Sequence, residues 1–200
     1  MKKMGVVVLV AIVVLFANSA SALVLDFSDL TAGATYNVGD SFVSSGAVIT
    51  GQEFYWLGGG STTGGSATVE TGGLAGGAGN ELGLNNINLS FDFGAPLDGL
   101  ALEYGYGGGN INLEINGDFV NVSDMLSIPH NLGGTEIFTF DNNGSDGHMF
   151  VIGGQINSFA LGGQELRIDN IVASVIPEPA TAVLLGLGSL TMLKRRKRSA

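Results

Sequence analysis

The sequence predicts an all-β protein: an antiparallel β-sandwich or jelly roll over residues 23–176, flanked by an N-terminal signal peptide at 1–22 and by a short C-terminal hydrophobic helix within 177–200. Three observations predict it. Between residues 23 and 176 no stretch repeats apolar residues at 3.6 spacing for more than about two turns. Short alternating segments recur instead, separated by Gly, Asn and Asp. Glycine is concentrated in the same span: of the 33 in the chain only Gly5, Gly186 and Gly188 lie outside it, which leaves 30 for turns and close contacts.

The first element is the leader. Lys2 and Lys3 precede an uncharged run over 4–17, and Ala20-Ser21-Ala22 follows with small residues at the two positions a signal peptidase reads, Ala20 and Ala22. The run is shorter than the roughly 20 residues needed to cross a bilayer, so a cleaved leader is expected rather than an anchor. Cleavage after Ala22 would start the mature chain at Leu23.

Thirteen strands are predicted next, at 24–27, 41–43, 47–50, 53–57, 67–70, 87–93, 100–106, 111–115, 119–122, 136–140, 149–152, 156–161 and 166–173. The firmest hairpin joins 111–115 to 119–122, because Asn116-Gly117 supplies the two positive-φ residues of a type I′ turn. In 87–93 the apolar groups fall on one face and Asn88, Ser90 and Asp92 on the other, the pattern of a sheet with one wet face. A last hairpin is expected at Gly162-Gly163. The glycine-rich run 58–79 is expected to be the least ordered part.

Charge and cysteine content exclude several functions. Of eight Lys and Arg only Arg167 lies within 23–176, and of 18 Asp and Glu only Glu178 lies outside, so the middle carries 17 acids against one base, a formal −16. Such a body repels phosphate backbones, so no nucleic-acid partner is expected. With no cysteine there is no disulfide, no thiolate nucleophile and no thiolate zinc site. His130 and His148 stand alone, His130 as a turn residue. The segment from Asp141 to Asp146 breaks the EF-hand spacing and reads as a solvated hairpin tip. No catalytic residues are expected. Exposed rings can stack on sugar faces, which makes Trp56, Tyr104 and Tyr106 the candidate glycan contacts, against the alternative that they are core.

The tail has three parts in order: Pro177-Glu178-Pro179 followed by Ala180-Thr181, an uncharged run to Leu193 that contains Leu184-Leu185-Gly186-Leu187-Gly188, and five consecutive bases, Lys194-Arg195-Arg196-Lys197-Arg198. The two prolines end any preceding strand, and the bases stay on the cytoplasmic side. This arrangement resembles the PEP-CTERM sorting signal of Gram-negative bacteria that make extracellular polysaccharide. The resemblance implies that an exosortase, a membrane-embedded cysteine protease-transpeptidase, recognises Pro177, Glu178, Pro179, Ala180 and Thr181. It also implies export to the cell surface or extracellular matrix, with 180–193 held transiently in the membrane.

A second resemblance covers the ends of the middle. Leu25-Asp26-Phe27-Ser28-Asp29-Leu30, with Tyr36 to Phe42, and Leu166-Arg167-Ile168-Asp169-Asn170-Ile171 look like the first and last strands of secreted carbohydrate-binding-type β-sandwiches. It implies that the terminal strands pair and that a structural Ca2+ sits beside them, at Asp26 or Asp29 and Asp169. The sequence as a whole points to an exported, non-enzymatic surface or matrix protein. Its rivals are a carbohydrate-binding module, with extracellular polysaccharide as partner, and a secreted hydrolase.

Overall fold

The computed structural model describes residues 21–77 and 79–176. The leader up to Ala20, and the tail with Pro177, Glu178, Pro179, Ala180 and Thr181, lie outside the described residues. The strands are β1 (Ser21–Leu25), β2 (Thr35–Asn37), β3 (Ser41–Ser44), β4 (Ala47–Gln52), β5 (Phe54–Tyr55), β6 (Ser61–Thr62), β7 (Ser66–Gly72) and β8 (Gly79–Asn85), then β9 (Ile87–Asp92), β10 (Leu97–Ile115), β11 (Asp118–Val122), β12 (Asn131–Leu132), β13 (Thr135–Asp141), β14 (Asp146–Ile152) and β15 (Phe159–Val175). The only helical piece among the described residues is a 3-10 turn at Met125–Ser127, so the protein is all-β as the sequence predicts.

Two long strands organise the rest. β10 and β15 pair antiparallel along nearly their whole length, and the register slips between Tyr106 and Ile111, opposite Glu165 to Gly163. On one side of this slip the sheet runs β12-β13-β14-β10-β15-β8-β7-β2; on the other, β10 pairs β11, and β15 leads through β9 and β4 to β3. Glycine is required at 107 and 109 because an added Cβ would crowd Glu165 and Gln164 of β15. Gln164 closes the irregularity by accepting from the Asn110 amide at 2.8 Å.

The two arms share one core. Leu100, Leu102, Leu82, Leu84 and Ile168 from the first arm and Ile49, Leu89, Leu113, Phe159 and Leu161 from the second belong to a single buried cluster. Each such side chain contributes about 1.5–3 kcal/mol on burial, in a chain that has no disulfide to help. The Asn116-Gly117 turn forms as predicted, with φ of 54° and 83° and Ile115 opposite Asp118. β1 pairs β15, so the first and last strands are neighbours.

Two expectations are corrected. The segments 156–161 and 166–173 are not a hairpin: β15 runs straight through Gly162-Gly163, neither of which has positive φ. Segments 100–106 and 111–115 are likewise one strand. Within the run 58–77, β6 and β7 form among the turns.

Candidate functional site: an amide-floored groove

In antiparallel sheets, directly opposed residues share a face. The pairs Gln52 with Asn88, Asn88 with Gly162, Gly162 with Asn112 and Asn112 with Asn121 therefore set one row of polar side chains across β4, β9, β15, β10 and β11, on the face away from the core. The next row on that face is Ser41, Thr50, Ser90, Ala160, Glu114 and Phe119. Alternation with the buried Ile49, Phe91, Phe159 and Ile115 fixes this orientation.

Part of this face is covered. The β5–β6 hairpin lies on it, held by side-chain amides that take the place of a strand ladder. Asn112 accepts from the Tyr55 amide and donates to the Tyr55 carbonyl, both at 2.8 Å. Asn110 and Asn121 donate to the same carbonyl at 2.9 Å, and Asn88 donates to the Glu53 carbonyl at 2.6 Å. Asn88 and Asn112 are consequently 6% and 1% exposed, where the sequence placed Asn88 on an open wet face. The Asn88 Oδ1 has no hydrogen-bond donor and packs against the Cα of Gly162, a position suited to a weak Cα–H contact. Phe54 is fully buried without belonging to the main core, so the hairpin has its own apolar anchor.

Beside the hairpin a groove of about 360 Å³ opens, lined by Gln52, Glu53, Tyr55, Asn88, Asn112, Glu114, Phe119 and Ala160. Tyr55 and Phe119 meet edge-to-face at 5.6 Å and are 44% and 43% exposed. The Tyr55 hydroxyl donates to Glu53 at 3.3 Å, and Ser61 donates to the other oxygen of that carboxylate. The Glu53 charge is the main reason that the Tyr55 phenol titrates above its usual value, with a smaller contribution from Glu114. The groove offers stacking surface, amide donors and acceptors, and two carboxylates. Sequence reading missed it because it depends on which strands meet; the available signal was the Asn110-x-Asn112 spacing, which repeats an amide on one face.

The predicted glycan contacts separate. Tyr104 is 3% exposed, shares its face with Leu100 and Leu102, and donates to the Phe140 carbonyl at 3.1 Å; burial pushes its phenol up to about 12. Tyr106 is half-buried, and its one hydroxyl proton is shared between the Ser123 and Gly109 carbonyls. Both are therefore core-facing, a correction to their reading as exposed rings. Tyr104→Phe is expected to cost about 1 kcal/mol, the usual worth of one hydrogen bond, measured by chemical denaturation. An unchanged midpoint would mean that the Tyr104 hydroxyl contributes nothing. Trp56 is 38% exposed and its indole donates to Asn86 at 3.2 Å, but it lines a separate depression with Leu57, Gly109 and Gln164. It does not share a face with Phe54 as expected, since β5 ends at Tyr55.

The predicted calcium residues are also placed. Asp29 accepts from the Ser44 hydroxyl and the Ser45 amide, both at 2.7 Å, and Asp26 accepts from the Ser28 amide and hydroxyl. Asp169 is 3% exposed and accepts from the Asn170 amide at 2.7 Å. Among the described residues no group of three or more His, Asp or Glu is disposed to hold a metal ion. The Asp141–Asp146 segment is the tip of the β13–β14 hairpin, where Asp146 accepts from the Asn142 and Asn143 amides at 3.0 and 3.1 Å. No protein-family model, curated protein or solved structure matches the chain.

Proposed function

We propose that this is an exported, non-enzymatic surface or matrix protein: a β-sandwich body delivered by the leader and released from, or fixed at, the envelope through a PEP-CTERM-type tail. The observation that carries the reading is the order of parts around the body: leader, acidic all-β domain, Pro177-Glu178-Pro179, apolar run and five bases. The pairing of β1 with β15 supports it, since a body whose ends lie on neighbouring strands can fold as a unit once translocated. The apolar run over 180–193, about 21 Å as a helix, is short for a permanent span and suits a pause in the bilayer.

A non-enzymatic role fits the groove. Both oxygens of Glu53 are engaged by Tyr55 and Ser61, and Glu53 and Glu114 border an open groove. Mass spectrometry of the surface protein from its native host tests the sorting. Loss of the basic end with Ile176 retained is expected; a C-terminus ending in Ser199-Ala200 overturns processing. Glu178→Gln keeps the elbow and is expected to leave the unprocessed precursor in the membrane. Release of reducing ends from a polysaccharide, lost in Glu53→Gln, would overturn the non-enzymatic reading.

A further inference from the structure

We propose that the groove beside the β5–β6 hairpin binds an uncharged oligosaccharide chain, with Tyr55 and Phe119 as its stacking surfaces and Gln52 and Glu114 as its hydrogen-bonding edge. This goes beyond the sorting reading and does not depend on it.

The first argument is the placement of the two rings. Neither belongs to the core, both are over two-fifths exposed, and they form one wall of the same groove. Exposed aromatics that support no packing are available to the C–H faces of a pyranose ring. They are also held in position. The backbone of Tyr55 is fixed by three asparagines, and Phe119 follows the Asn116-Gly117 turn opposite Glu114. A ligand would find these rings already ordered, so little binding free energy is lost in arranging them.

The second argument is the floor. Next to the amide row run Ser41, Thr50, Ser90 and Glu114 on the same outer face, crossing six strands with Ala160 and Phe119. At about 4.8 Å between strands the row extends about 24 Å. That length suits a chain of sugars better than a single one. A second hollow of about 380 Å³, lined by Ser90, Asp92 and Ser158 among others, lies farther along the same strands. Hydroxyls and amides that both donate and accept match sugar hydroxyls, which do the same.

The third argument, charge, selects the class. The groove carries Glu53 and Glu114, the body is formally −16, and its one base, Arg167, pairs with Glu70 at 3.2 Å on the other arm. A uronate, sulfate or phosphate on the glycan would meet like charge with no basic partner.

The test is affinity electrophoresis of the full-length protein in mild detergent through gels containing barley β-glucan, guar galactomannan, xyloglucan or alginate. Retardation by at least one of the three neutral polymers, and none by alginate, is expected. Tyr55→Ala and Phe119→Ala should each weaken that binding about tenfold, the size of one lost stacking contact. Tyr55→Ala leaves the backbone bonds to Asn110, Asn112 and Asn121 in place, and an unchanged melting temperature verifies this. Tyr55→Phe should bind within about twofold of the parent, and Trp56→Ala, altering the separate depression, should bind like the parent. The proposal is overturned if no neutral polymer retards the protein, if alginate retards it more strongly, or if Trp56→Ala abolishes binding that Tyr55→Ala and Phe119→Ala retain.

Discussion

Replacing Gly162 with alanine is expected to lower stability by about 3 kcal/mol, the upper range for forcing extra volume into packed structure. A domain of this size should melt about 6–12 °C lower as a result. A methyl group at 162 would collide with Asn88 Oδ1 and the Ile87 carbonyl, and would stand 2.7 Å from the Asn88 Cα. Two of these three obstacles are backbone of β9, which cannot turn aside as a flexible side chain could. The third, Asn88, holds the Glu53 carbonyl, so displacing it would also loosen the hairpin that forms the groove wall. Thermal melting followed by circular dichroism measures the first effect; faster hydrogen exchange at the Tyr55 amide reports the second. Gly58→Ala, where an added methyl meets nothing within 4 Å, is the control and should change stability by less than about 0.5 kcal/mol. A Gly162→Ala protein that melts with the parent would show that β9 and β15 are not in this close contact.

The same glycine marks where the sequence stops being readable. Fold class followed from local rules, because alternation in segments such as 87–93 and the positive φ demanded by Asn116-Gly117 are properties of neighbouring residues. Gly162-Gly163 satisfies the local signature of a turn, yet what required glycine was the approach of Asn88 and Ile87 from a strand some seventy residues earlier. β8 escaped notice for a related reason: only Leu82 and Leu84 alternate in it, while its burial runs unbroken from Glu81 to Leu84, so that Glu81 is covered as well. The Ala75 amide donates to Glu81 at 2.9 Å, a contact that only the folded loop creates. Tyr104 could have been assigned better, since its parity with Leu100 and Leu102 already placed it toward the core. The groove could not have been assigned, because it is assembled from β4, β5, β9, β10, β11 and β15 and exists only once the hairpin lies across the amide row.

Asp169→Asn is expected to stabilise the protein above neutral pH and to lose that advantage near pH 4. Burial pushes the Asp169 carboxyl up to about 6 from an ordinary 3.8; the Asn170 amide opposes the rise, and the charges of Glu103, Glu81 and Asp26 add to it. The folded state therefore binds the Asp169 proton more tightly than the unfolded chain, so this group opposes folding once it is ionised. Its penalty is fully present above pH 6, and it is relieved as pH falls through 6 toward 3.8. Solvent screening and the need to seat an asparagine amide among the same neighbours both reduce what this shift is worth, so we expect at most about 2 kcal/mol to be recovered. The melting temperature at pH 8 should rise by about 4–8 °C. At pH 4 the folded parent carboxyl is protonated, so the advantage should be gone and the variant should melt with or slightly below the parent, because the cost of seating the amide remains. The acids near Asp169 make the sign informative. Arg167, the one base of the body, is engaged by Glu70, so among the described residues no base neutralises this corner. If Asp169→Asn instead destabilises the protein at pH 8, the ionised carboxylate must have a favourable partner supplied from solution. A divalent cation would be the first to test, by repeating both melts in millimolar Ca2+ and in Mg2+.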